Sequence, residues 1–249
     1  FDEGLQELRR MQDGGCHPED GCQGSNPFKG ATFQYLAAST FLDNGETLFP
    51  PYAVREFDGV KVGFIGLTFE GTPELLTPTA RAGLTFRNEA ETVNALVPKL
   101  KAEGVEAIVV LLHEGGLVSG PDDCESLSGR ITEIVPRFDK AVDVVVSGHT
   151  NAIYTCTVDG RLVTSAGAYG ARLTDIGLVI DRKTGDVITA KARDLAIRAD
   201  LYEEDAQQVD LIDSYRRAAE ATMTRPVGSI TATISRSAGA SGESALGGI

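Results

Sequence analysis

Histidine is scarce in this 249-residue chain, three in all, and two of the three follow short apolar runs. Val105-Glu-Ala-Ile-Val-Val-Leu-Leu112 leads into His113-Glu-Gly-Gly116, and Val142-Asp-Val-Val-Val146 leads into Ser147-Gly-His149-Thr-Asn151. Apolar, β-branched runs bounded by glycine predict central strands of an α/β sheet. The carboxyl ends of such strands are where open α/β folds place their ligands and chemistry. Neutral imidazoles held there suit a divalent metal ion. Taken singly, either histidine reads as an ordinary loop residue. The repeated strand–His–Gly context favours a metal site.

The elements that must position this pair follow from periodicity. Strand 105–112, a crossing helix near 129–138 and strand 142–146 make one βαβ unit, expected to be right-handed with parallel strands. Residues 88–103 predict a helix whose stripe is Val93, Leu96, Val97 and Leu100, stopped by Gly104 and open to a kink at Pro98. Tyr52–Phe57 and Val60–Leu67 flank Asp58-Gly59, a hairpin signal. A helix over 2–12 and a short strand over 32–39 precede them, separated by a polar, Gly-rich loop. Past Asn151 the pattern turns to short strands at 153–158, 161–165, 174–181 and 187–194, which predict an antiparallel meander. The Gly167–Gly170 loop with Tyr169 reads as a turn near the mouth of the site. Residues 203–222 predict an amphipathic, solvent-exposed helix with Val209, Ile212, Tyr215 and Ala219 on one side. Val227–Ser235 alternates like a strand, and 237–248 is small and Gly-rich.

The net charge of −13, from 36 acidic and 23 basic residues, argues against nucleic acid as a partner, because binding a phosphate backbone needs clustered Lys and Arg. No run has the roughly 18–20 apolar residues that span a membrane, so no membrane span is expected. Four cysteines admit three pairings. Cys16 and Cys22 flank a turn-rich loop, while Cys124 and Cys156 follow the two histidine loops. If those loops meet above the sheet, the pairing is Cys16–Cys22 with Cys124–Cys156. Disulfides place a protein outside the cytoplasm: extracellular, on the cell surface or periplasmic. A zinc site built on these cysteines and His17 lacks a second closely spaced ligand pair.

Phe1-Asp-Glu-Gly4, Asp58-Gly-Val-Lys-Val-Gly-Phe-Ile-Gly-Leu67, His113-Glu-Gly-Gly116, Ser147-Gly-His-Thr-Asn151 and Ser241-Gly-Glu-Ser-Ala-Leu-Gly247, taken in order, resemble the 5′-nucleotidase family of metallophosphoesterases. The resemblance implies an α/β chain, part of a four-layer α/β/β/α sandwich followed by a connector helix. Residues 1–194 would be the later part of the metallophosphoesterase domain, 195–226 the connector, and 227–249 the start of a second domain, expected to pack on a neighbouring chain or to be mobile.

The resemblance also assigns roles. His113 and His149 match histidine ligands of one of two divalent ions, zinc or manganese. Asn151 stands where the family has a further ligand, usually His, and an amide offers only its carbonyl oxygen. Glu114 is a candidate for orienting an imidazole, or else a solvated loop residue. The family's Asp-x-His, Gly-Asp and Gly-Asn-His-Glu motifs precede its Phe-Asp-Glu-Gly stretch, so no catalytic residue is assigned here. Asp2 and Glu3 resemble the tail of that last motif, with Asp2 expected to cap the first helix. Two-metal phosphoesterases hold their ions about 3.5–4 Å apart and stabilise both attacking and leaving oxygens.

The expected activity is hydrolysis of 5′-nucleotides or related phosphoesters by a longer parent. This chain, short of donors, would bind at most one ion weakly and have little activity. The alternatives are a non-catalytic binding or scaffold domain on the same fold, and a nucleotide-sugar or cyclic-nucleotide phosphodiesterase. A doubly wound nucleotide-binding module is disfavoured because no Gly-rich phosphate loop follows a strand.

Overall fold

A computed structural model describes residues 1, 3–19, 21–22 and 28–247. In chain order the elements are α1 (Leu5–Asp13), β1 (Thr40–Leu42), β2 (Tyr52–Phe57), β3 (Val60–Leu67), α2 (Thr72–Leu75), β4 (Leu84–Phe86), α3 (Glu89–Ala102), β5 (Ala107–Leu112), α4 (Ile131–Ile134), β6 (Val144–Val146), β7 (Ile153–Val158), β8 (Arg161–Ala166), β9 (Arg172–Ile180), β10 (Val187–Ala196) and α5 (Ala206–Met223). They fall into two compact units, one ending at Glu203 and one starting at Glu204.

The first unit is built on a six-stranded sheet in the order β2-β3-β5-β6-β8-β7. β3, β5, β6 and β8 run parallel, and β2 and β7 are antiparallel edges. On one face, Ile65, Ile108, Val110 and Val145 pack against Val93, Val97 and Leu100 of α3 and Ile131 and Ile134 of α4. Each fully buried Val, Leu or Ile there contributes about 1.5–3 kcal/mol. On the other face, Val62, Ala107, Val109, Val144 and Leu162 meet Ile176, Leu178 and Val187 of the β9–β10 hairpin. The result is a stack of helix, sheet and sheet: an α/β fold, with three consecutive layers of the expected sandwich.

Local chemistry explains several elements. Asn88 caps α3, its side chain accepting from the Glu91 N–H, and Pro98 lies inside that helix without ending it. Asp58 (φ 50°) and Gly59 (φ 84°) make the left-handed pair that a tight hairpin requires, and Asp159 (φ 48°) and Gly160 (φ 78°) repeat it between β7 and β8.

Five expectations are corrected. Residues 32–39 form no strand: Ala37 and Ala38 donate to Pro50 O and Gly66 O, so the segment crosses the neighbouring strands, and the strand begins at Thr40. The crossing helix is only the turn Ile131–Ile134, because Pro136 lies in the 3₁₀ turn Val135–Arg137 that follows. The strands after Asn151 are not one meander. β8 inserts between β6 and β7 in the main sheet, whereas β9 and β10 pair only with each other. The first helix starts at Leu5 behind Gly4, with no side-chain cap, and Asp2 lies outside the described residues. Residues 227–235 form no strand, for no ladder offers them a partner; an isolated Ala238–Ser244 bridge closes the turn after them.

In the second unit Asp205 caps α5, and none of that helix's residues is buried. Among the described residues no helix is long and apolar enough to cross a membrane.

Candidate metal centre

β5 and β6 are adjacent parallel strands, in register from Val109↔Val144 to Leu111↔Val146. Both therefore release their chains at the same sheet edge. His113 directly follows β5, and its backbone N–H donates to Leu67 O at the end of β3, 3.0 Å away. His149 follows β6 by three residues. The two imidazoles meet edge to face with ring centroids 5.3 Å apart, and Phe69, just past β3, lies 4.9 Å from the His149 ring.

The His149 loop is held in an unusual conformation. His149 (φ 66°) and Asn151 (φ 56°) both occupy the left-handed region. Side chains other than glycine rarely adopt it, and such residues cluster at functional sites. The loop is fixed to its neighbour by crossing hydrogen bonds: Gly148 N–H to Glu114 O at 3.2 Å and Thr150 Oγ1 to Gly116 O at 2.6 Å. A cavity of about 430 Å³ opens beside His113, lined also by Tyr35, Leu111, Val146, Ser147 and Gly148.

Burial lowers the pKa of His113, and the neighbouring His149 lowers it further, while the Glu114 carboxylate acts in the opposite sense. The balance favours the neutral, donor-competent imidazole. Glu114 is not the solvated loop residue considered from sequence: it is 3% exposed. Its Oε1 accepts from Gly115 N–H and its Oε2 lies 3.2 Å from Arg130 Nε. Arg130 also reaches Glu89, fully buried at the start of α3, and Glu70. Burial raises the pKa of Glu89.

Asn151 is exposed on the His149 loop. His17 sits in the Cys16–Cys22 loop, its Nδ1 accepting from Glu19 N–H. Glu3 is exposed before α1, and Tyr169 stands fully exposed in its turn. The four cysteines form Cys16–Cys22 and Cys124–Cys156. The second bridge ties the segment after His113 to the strand after His149. Sequence reasoning missed Phe69, Arg130 and Tyr154. Phe69 alone carried a usable signal, lying past a parallel strand's end as the histidines do.

Two neutral imidazoles fit the nitrogen donors of one divalent ion. Among the described residues no group of three or more His, Cys, Asp or Glu side chains converges, so these side chains do not amount to a dinuclear shell.

No family model matches the chain. It is 32% identical over 181 residues to the snake venom 5′-nucleotidase of Naja atra, covering 65% of this chain and 31% of that protein. Its fold superimposes on a 5′-nucleotidase precursor from Thermus thermophilus with a TM-score of 0.62 at 24% identity, over 80% of this chain and 40% of that one. Over this region the chain is similar to 5′-nucleotidases in sequence and shares their fold. A further member of this group of relatives, the endonuclease YhcR of Bacillus subtilis, is 28% identical over 229 residues, 92% of this chain and 18% of that protein. The chain thus spans less than a third of either curated relative. One of them is named as a venom protein.

Proposed function

We propose that His113 and His149 are nitrogen donors to one ion of a two-metal centre, zinc or manganese, in an extracellular phosphomonoesterase acting on 5′-nucleotides. The observation that carries the reading is the pair of imidazoles 5.3 Å apart at the carboxyl edge of adjacent parallel strands. The left-handed backbone at His149 and Asn151 supports it, because such conformations persist where a site requires them. Asn151 would add at most an amide oxygen. A dinuclear centre needs about four donors per ion, more than these three residues give. This chain by itself therefore binds at most one ion, weakly, and hydrolyses phosphoesters slowly or not at all.

A second reading, cleavage of phosphodiesters, is favoured by the match to a protein named as an endonuclease over 92% of the chain. The net charge of −13 opposes a polynucleotide substrate and leaves small diesters. The deciding experiment measures zinc- or manganese-dependent turnover of adenosine monophosphate and of bis(4-nitrophenyl) phosphate by the natural protein at full length. Monoester turnover that collapses in His113→Ala supports the first reading, and diester turnover that does so supports the second. Turnover of neither substrate would leave a non-catalytic binding domain, and turnover indifferent to His113 would contradict both.

A further inference from the structure

We infer that Tyr154 is a positioning residue, whose buried hydroxyl fixes the spacing between the His113 and His149 loops. Tyr154 is 0% exposed and lies on β7, beneath both loops. Gly116 N–H, in the His113 loop, donates to its hydroxyl at 3.1 Å. Ser147 Oγ, in the His149 loop, lies 2.6 Å from the same oxygen. Ser147 Oγ lies 2.8 Å from Thr164 O as well, and either hydroxyl can be the donor in the Tyr154–Ser147 contact. The contacts form one continuous chain from Gly116 N–H through the Tyr154 and Ser147 hydroxyls to Thr164 O.

Such a chain has no slack. Tyr154 is the member that joins the two loops, and the far end is anchored in the sheet at Thr164 of β8. Replacing Tyr154 by Phe leaves Gly116 N–H buried without its acceptor, which is unfavourable. The loops recover that loss by moving apart until water reaches the N–H. The crossing bonds from Gly148 N–H to Glu114 O and from Thr150 Oγ1 to Gly116 O remain in that variant and hold the loops at other points. The importance of this spacing for function rests on the metal reading above; the spacing itself does not.

The test uses histidine-labelled protein without metal and reads the nuclear Overhauser effect between the two imidazole rings. Tyr154→Phe is expected to weaken that signal about threefold, as a displacement of roughly 1 Å would. Zinc affinity should fall about 10- to 100-fold, the usual effect of losing a group that orients ligands. Ser147→Ala, a less buried change, should weaken the signal too and serves if Tyr154→Phe does not fold. Val163→Ala thins the same core without touching the chain of hydroxyls, and should lower stability while leaving signal and affinity intact. An unchanged ring-to-ring signal in folded Tyr154→Phe and Ser147→Ala overturns the inference. A weakened signal in a protein whose wild type binds no zinc supports the spacing role and counts against the metal reading alone.

Discussion

Gly115 and Gly148 meet backbone to backbone: a Cβ added to Gly115 would overlap the Gly148 carbonyl oxygen and come within 2.7 Å of Thr150 Oγ1. This contact sets how near the His113 and His149 loops can lie. The residue must be glycine for want of room, since its backbone is not among the left-handed positions.

Gly115→Ala should therefore push the loops apart and cost about 1–3 kcal/mol, as overpacking does. Urea unfolding gives the stability, and the distance between the two imidazoles should lengthen. A variant as stable as the wild type with the rings still at 5.3 Å would show that the close approach constrains nothing.

The Cys124–Cys156 bridge, with a sequence separation of 32, restricts the unfolded chain. Cys124→Ser with Cys156→Ser should lower stability by about 3–4 kcal/mol by loop-closure entropy. Equal denaturation midpoints for the double variant and the oxidised wild type would refute this.

The two histidines were legible because each follows an apolar run at a parallel strand's end, a pattern written in consecutive residues. The hairpin at Asp58-Gly59 was legible for the same reason. Residues 32–39 and 227–235 misled because alternation marks a strand only if another strand offers its ladder, and that depends on distant segments. Glu114 reads as a surface carboxylate until Arg130, sixteen positions along the sequence, is seen to fold over it. Tyr154 and Arg161 were invisible because most of their partners are backbone carbonyls, hydroxyls and amides that tertiary structure assembles.

Arg161 is 4% exposed. Its guanidinium donates to the carbonyls of Val142, Phe138 and Asp139 at 3.0, 2.9 and 2.9 Å and pairs with Asp159. Arg161→Met removes every donor and strands those carbonyls, and should destabilise by about 3–5 kcal/mol. Arg161→Lys should recover only part, since an ammonium cannot span the same fork. Thermal unfolding of the two variants checks the order; a methionine variant within about 1 kcal/mol of wild type would exclude the role.

Asp143 accepts from Ile108 N–H at 2.8 Å, and burial pushes its pKa up to about 6. A carboxyl group whose folded pKa is raised holds its proton more tightly in the native state. Its stabilising contribution is whole below the unfolded value of about 3.9 and is lost as pH rises through the folded value near 6. Asp143→Asn keeps the acceptor without the charge. It should be more stable than wild type at about pH 7.5 by about 1 kcal/mol, after allowance for solvent screening, and nearly equal at about pH 4. Urea titrations at the two pH values decide; a variant less stable at the higher pH would show that the carboxylate is favoured there.

The most direct measurement is calorimetric titration of the chain with zinc, alongside His113→Ala, His149→Ala and His17→Ala. The expected result is weak binding of a single ion, reduced at least about tenfold by either of the first two substitutions and untouched by the third. Binding that survives the loss of both His113 and His149, or a wild type that binds no zinc at all, would contradict the metal assignment.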